Sequence, residues 1–292
     1  LYVILLCISF NALAQTTKTV ILDADTANEV DDLFALVTAF SEPTWNIVAL
    51  NATQWQASHL AEPSSMEESH KLNTVLKAYC KKDEIKLLRG GFRRMYDWGD
   101  MAQHSAAAYD IIKRAHNQEN SNKITVIALG ALTNVASALY IDPTIASKID
   151  LYWLGTTYDF EKGISKRLDF NCVMDIQATE IVLTSQIDTH IMPLNVIADM
   201  KFELKEANDK LSNVHPLGDF LLNRWRNHMD GGQYERVLWD TALIQAVMRP
   251  SLCTVEKVDT FENKKVSLYK TIDKKKVIEN TYADILGLIE KL

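Results

Sequence analysis

Five carboxylates fall within ten residues in the run ILDADTANEVDDLFAL: Asp23, Asp25, Glu29, Asp31 and Asp32. Acids in the first turn of a helix complement its dipole, at about 0.3–1 kcal/mol each. Asp31 and Asp32, which open an apolar helix that Asn28 is placed to cap, are accounted for by that effect alone. Asp23 and Asp25 are not. They end an apolar β-type run, strands disfavour Asp, and crowded carboxylates raise one another's pKa unless something compensates. A cation is the simplest compensation. Oxygen-only donors at this density suit Ca²⁺ or Mg²⁺, whereas Zn²⁺ selects His and Cys. The chemistry expected here is therefore that of a hard divalent ion beside an ionised carboxylate.

The elements that would position these groups alternate along the chain. Short β-rich runs at 19–23, 46–52, 85–88, 124–129, 149–154 and 190–194 are separated by helical patterns at 31–40, 67–79, 131–140 and 176–185. This order predicts an α/β fold, a mainly parallel Rossmann-like sheet with helices on both faces. Residues 255–272 alternate about Glu262-Asn263 and predict a β-hairpin appended near the C-terminus, followed by a short helix. No Pro/Gly/Ser-rich linker divides residues 15–292, which are expected to form one domain. Ligands of such sheets bind beyond the carboxyl ends of the strands. The segments to inspect are then 23–32, 51–56, 89–91, 130–133, 155–157 and Asn195.

The strand–Asp-x-Asp–loop–Asp-Asp-x-x-Ala pattern, carried by Asp23, Asp25, Asp31, Asp32 and Ala35, resembles the N-terminal fingerprint of the inosine–uridine-preferring nucleoside hydrolases, with a loop two residues longer than the common form. Further blocks follow in the family's order. ITVIALGALTNVASAL (124–139) is similar to its strand–GPLTN–helix segment, with Ala131 in place of the Pro. DLYWLGTT (150–157) resembles the strand ending in Met-Gly-Gly. LDFNCVMDIQATEIVLTS (168–185) resembles the EFN…DPEAA segment, with Asp169 for Glu. LWDTALIQAVMRPSL (238–252) lies where the family has His-Asp, with Trp239 in place of the His.

The resemblance implies a Ca²⁺-dependent hydrolase that splits the N-glycosidic bond of a nucleoside-like substrate into base and ribose. It implies Asp25 as general base and metal ligand. Asp32, Asp240 and the backbone carbonyl of Thr133 would be further ligands. Asp31, Asp169 and Asn171 would bind ribose hydroxyls, and Asp23 would orient the ligands from behind. Trp239 would act on the leaving base by stacking. Gln54 or Gln56 would stand in for a missing Gly-Asn, and Lys166 and Arg167 are either loop charges or contacts to an anionic group. A homo-oligomer is also implied.

The rest of the chain sets limits. With 31 Lys and Arg against 38 Asp and Glu, the net charge is −7. That balance is opposite to the basic stripe of a nucleic-acid binder. No apolar run approaches the ~20 residues that span a bilayer. Residues 1–14, LYVILLCISFNALA, read as the apolar core and small-residue cleavage site of a secretory signal, which implies a periplasmic or secreted protein. The four scattered cysteines form no metal-ligand spacing. The histidines fall in polar surroundings and carry no metal-ligand pattern; His104 is the one placed to reach a pocket. Two other readings stay open. LDADT also fits the nucleophile motif of haloacid dehalogenase-like phosphatases, and the acidic cluster would equally serve a metal-bound sugar- or nucleoside-binding protein that does not turn over.

Overall fold

The computed structural model describes residues 17–96, 101–118, 122–259 and 264–292. The proposed signal at residues 1–14 and the Glu262-Asn263 turn lie outside them.

The first half of the chain runs β1 (Lys18–Ala24), α1 (Asp31–Ser41), β2 (Trp45–Ala52), α2 (Ser65–Tyr79), β3 (Lys86–Arg89), α3 (Ala106–His116), β4 (Ile124–Ala128), α4 (Thr133–Ile141) and β5 (Ile149–Leu154). A small hairpin of β6 (Thr157–Asp159) and β7 (Ile164–Lys166) leads into α5 (Phe170–Met174), α6 (Ile176–Thr184) and β8 (Asp188–Met192). Then come α7 (Leu194–Ile197), β9 (Lys201–Glu203), α8 (Leu204–Leu211), α9 (Pro216–Arg226), β10 (Glu235–Val237) and α10 (Trp239–Met248). The chain closes with β11 (Cys253–Asp259), β12 (Lys265–Ile272) and α11 (Lys274–Ile289).

The main sheet has eight strands in the order β11-β12-β8-β5-β4-β1-β2-β3. Every pairing is parallel except β11 with β12. The C-terminal hairpin is therefore no separate appendage, because β12 pairs with β8 through Ser267↔His190 and Leu268↔Ile191. Burial of four consecutive β12 residues, Val266 to Tyr269, explains why it joins the sheet.

Alternation along β1 sends side chains to opposite faces. Val20, Leu22 and Ala24 pack into one core with α1, α10 and α11; Ile21 packs into the other with α3, α4 and α6. Asp23 and Asp25 follow Ile21 by two and four residues and so continue its side. α1 is buried from Asp31 to Phe40, which accounts for its apolar character all round. Each fully buried Leu or Phe there contributes about 1.5–3 kcal/mol of transfer free energy, so this helix is fixed rigidly to the sheet. Three features went unanticipated: α3, the α8–α9 pair with its β9–β10 ribbon, and the 16-residue length of α11. No helix among the described residues is long and apolar enough to cross a membrane.

Candidate active site

A cleft of about 570 Å³ opens at the carboxyl ends of β1, β4, β5 and β8. Its floor is built where β1 ends and two helices begin. Asp25 lies just past β1, Asp31 and Asp32 start α1, and Asp240 starts α10. Asp31, Asp32 and Asp240 each bring a carboxylate oxygen within 4.8 Å of the others. The Asp31 carboxylate also accepts backbone amides from Asp32 and from Asp240, so the positive ends of both helices converge on it. α1 has no side-chain cap, and Asn28 instead closes a turn by donating its amide to the Asp25 carbonyl at 2.8 Å.

Residues some 215 positions apart in the chain are thus brought into one cage. Burial pushes Asp25 up to about 7, with further push from the charges on Asp23 and Glu29. Asp31 rises to about 7, through burial and then the Asp25 charge. Asp32 and Asp240 lie well above the usual carboxylate range, first through burial and then through their acidic neighbours. Asp25 Oδ2 and Asp32 Oδ1 are buried without a hydrogen-bond partner. Such orphaned, mutually repelling oxygens fit a hard divalent cation, and Asp25, Asp32 and Asp240 are the groups that would hold it.

Asp23 sits behind this cage, fully buried. It accepts from Asn134 Nδ2 at 2.8 Å, and burial raises it to about 7. Asn134 also donates to the Ala52 carbonyl and accepts from the Gly91 amide at 2.7 Å, so α4, β2 and the β3 loop are tied together behind the acids. Gly130 makes this approach possible: a Cβ there would stand 2.4 Å from Asp25 Oδ1.

Two expected residues are not in the cleft. Asp169 caps α5 through Cys172 N at 3.2 Å and accepts the Thr156 amide at 2.8 Å. A side chain this short bonds local backbone rather than reaching a ligand. Thr133 turns its hydroxyl to Asp175 at 2.7 Å, and as the first residue of α4 its carbonyl points down the helix, away from the cleft. The oxygen that β4 presents instead belongs to Leu129, which lines the cleft and accepts from Asn171 Nδ2 at 2.6 Å. Asn171 also donates to the Leu154 carbonyl at 2.9 Å, which leaves its Oδ1 as the acceptor for a ligand.

Other expectations also move. Gln54 donates to Thr133 and to the Met174 carbonyl, both at 3.1 Å, and is structural. Asn195 pairs with the Tyr158 backbone. Arg167 pairs with Glu180, and neither it nor Lys166 lines the cleft. His104 bonds the Tyr109 hydroxyl at 2.7 Å and is likewise absent from the cleft. The phosphatase reading needed a later acidic pair on another strand end; Asp219 is instead in α9, accepting the Asn213 amide. No described Lys or Arg lines the cleft.

Apart from Trp239, the outer wall was not foreseen. It is formed by Ala57, Ser58, His59 and Leu60 after β2, by Phe170 and Leu194, and by Glu29, His228, Asp230 and Trp239. Trp239 is half-buried beside Asp240.

The profile of the family described as inosine-uridine preferring nucleoside hydrolase matches residues 20–279. The chain belongs to that family. As a member it is an N-glycosyl hydrolase. Uridine nucleosidase 1 of Arabidopsis thaliana is 24% identical over 253 residues, covering 80% of this chain and 75% of that protein. A plant nucleoside hydrolase of known structure superposes with a TM-score of 0.70 at 19% identity, over 92% of this chain and 98% of that one. The purine-preferring ribonucleoside hydrolase from Gardnerella vaginalis gives 0.69 at 17% identity, over 94% and 100%. These two likenesses are of fold. Family membership removes the phosphatase reading.

Proposed function

We propose that this hydrolase is Ca²⁺-dependent and cleaves uncharged ribonucleosides to free base and ribose. The observation that carries the proposal is the cluster of Asp31, Asp32 and Asp240 carboxylates within 4.8 Å of one another, beside the unpartnered Oδ2 of Asp25 and Oδ1 of Asp32 at the end of β1. A divalent ion bound by these residues would supply positive charge that lowers the pKa of water and attracts sugar hydroxyls.

Asp25, at the edge of the cage, accepts the proton of the attacking water. Asp31 and the Oδ1 of Asn171 accept hydrogen bonds from ribose hydroxyls and fix the sugar. The Leu129 carbonyl, rather than that of Thr133, is the backbone oxygen directed at the site. Trp239 lies against the base. A cleft lined by six acids and by no described lysine or arginine repels phosphate, which favours nucleosides over nucleotides. The reading of the apolar segment 1–14 as a secretory signal supports a location outside the cytoplasm, where Ca²⁺ is plentiful.

The test is hydrolysis of a panel of nucleosides and their 5′-phosphates, before and after chelation and with Ca²⁺ or Mg²⁺ restored. Release of base from nucleosides only, abolished by chelator and restored by Ca²⁺, is the expected result. Turnover that survives exhaustive chelation removes the cation. Tight nucleoside binding with no product leaves a binding protein. Sequencing the N-terminus of the exported protein tests the location.

A further inference from the structure

Breaking the bond between C1′ and the base leaves an electron pair on the base, and departure is fast only if a proton meets it. The question rests on the nucleoside-cleaving reading above. The acids of the floor surround the cation site, and Asp25 receives a proton in the same step. On the wall, besides the carboxyl groups of Glu29 and Asp230 that face Arg236, groups bearing N–H or O–H are Asn28, Ser58, His59, Asn171, His228 and Trp239. Amide, alcohol and indole protons do not come off near neutral pH, whereas an imidazolium proton does.

The two histidines differ in setting. His59 is exposed on the loop after β2. His228 is half-buried, with one ring nitrogen within 4.8 Å of carboxylate oxygens from both Glu29 and Asp230. Arg236 holds those carboxylates in place: it is buried, it grips Asp230, and it stands 3.9 Å from Glu29. The loop that carries His228 is tightly wound. The Gly231 amide donates to the His228 carbonyl at 3.0 Å. Gly231 and Gly232 have φ of 88° and 67°, and a Cβ on Gly232 would stand 2.3 Å from the Arg226 carbonyl oxygen. The imidazole is thus positioned on the wall of the cleft by its own turn, beside carboxylates that a buried guanidinium holds.

We infer that His228 is the general acid that protonates the departing base. As the C1′–N bond breaks, its electron pair passes to the base, and the base takes the His228 proton. The water oxygen bonds to C1′, and the water proton goes to Asp25. Solvent then returns one proton from Asp25 to His228, which resets both groups. The charged groups facing the ring are Glu29 from the β1–α1 loop, Asp230 from its own loop, Arg236 from β10 and Arg224 from α9. Burial and the two arginines lower the imidazole pKa against the pull of Asp230. The protonated form is then a strong acid, and nucleoside turnover should decline as pH rises and that form is depleted.

The experiment compares wild type, His228→Gln, His228→Ala and His59→Ala, each saturated with Ca²⁺, on uridine, inosine and 4-nitrophenyl riboside. The nitrophenolate leaves as a stable anion and needs no acid. In both His228 variants the rate ratio of nitrophenyl riboside to nucleoside should rise about 10²-fold. The alkaline decline of the nucleoside pH profile should disappear with it. Calcium titration and melting of His228→Gln show that the cage and fold persist. Equal losses on all substrates, no loss on any, or a ratio change at His59 instead would each overturn the assignment. A wild type that cleaves neither uridine nor inosine, with or without activity on the nitrophenyl riboside, overturns the nucleoside reading and this inference together.

Discussion

The floor and the wall of the cleft are both acidic, but they are built on different principles. On the floor, Asp25, Asp31, Asp32 and Asp240 are carried by a strand end and two helix N-termini that are sealed into the core, and all are at most 5% exposed. Among them no described lysine or arginine is paired to a carboxylate. On the wall, Glu29 and Asp230 are carried by loops; Arg236 pairs with Asp230 and stands 3.9 Å from Glu29. The floor has no positive partner of its own, whereas the wall has one in Arg236. This difference distinguishes a metal cage from a structural ion pair, even though both bring three ligand-type groups within 4.8 Å. A cation entering the wall cluster would have to compete with a buried guanidinium.

The largest effect expected from this contrast is at Asp25. Asp25→Asn keeps the shape and removes both the base and one anionic ligand, so turnover of any nucleoside should drop by about 10³-fold or more. The fold should remain, and in chelator the variant should melt higher than wild type, because one repelling carboxylate has gone. Near-normal rates in Asp25→Asn would mean that the floor does not supply the base.

Stability against pH comes next. Asp23, Asp25 and Asp31 at about 7, and Glu29 at about 8, are raised above their unfolded values. Raised acids favour the folded state fully below about pH 4, and that advantage is lost as pH rises through 7 to 8. His70, His190 and His228 are lowered, mainly by burial, and act oppositely up to about 6.5. Between pH 6.5 and 8 the acids dominate. In chelator the melting temperature should therefore fall across that interval. With Ca²⁺ the ion replaces the protons, and the gap between the two curves should widen with pH. Curves that stay parallel would show that no ion binds these carboxylates.

The same contrast explains what could be read from the sequence. Asp23 and Asp25 were legible because acids at the end of a buried strand contradict local propensity, and only a function or a counter-ion resolves the contradiction. The parallel sheet was legible because 3.6-residue and two-residue patterns alternate cleanly over residues 19–194. Asp240 needed the family resemblance, since an acid at a helix start has an ordinary explanation. Asp169 and Thr133 failed where the likeness was carried over residue by residue, because a short polar side chain at a helix start is taken up by local backbone and neighbours. The Glu29–His228–Asp230–Arg236 group left no signal. Its members come from loops and a three-residue strand, up to 207 positions apart, and none breaks a local rule.

Trp239 belongs to both regions, since it opens α10 next to Asp240 and lines the cleft beside the wall. Its removal is expected to have the smallest effect. An aromatic contact contributes about 0.5–1.5 kcal/mol beyond simple burial, and 1.4 kcal/mol is a factor of ten. Trp239→Ala should thus lower kcat/KM by about tenfold for a purine nucleoside. The loss should be smaller for a pyrimidine, whose single ring offers less surface to stack. Calcium affinity should hold, because the backbone that sets Asp240 is anchored independently by Thr241, whose amide and hydroxyl both donate to the Leu238 carbonyl. Equal losses for both base classes would mean that the indole packs against the core rather than the substrate. A large loss of calcium affinity would mean that the ring props the cage, and would move Trp239 from the wall to the floor.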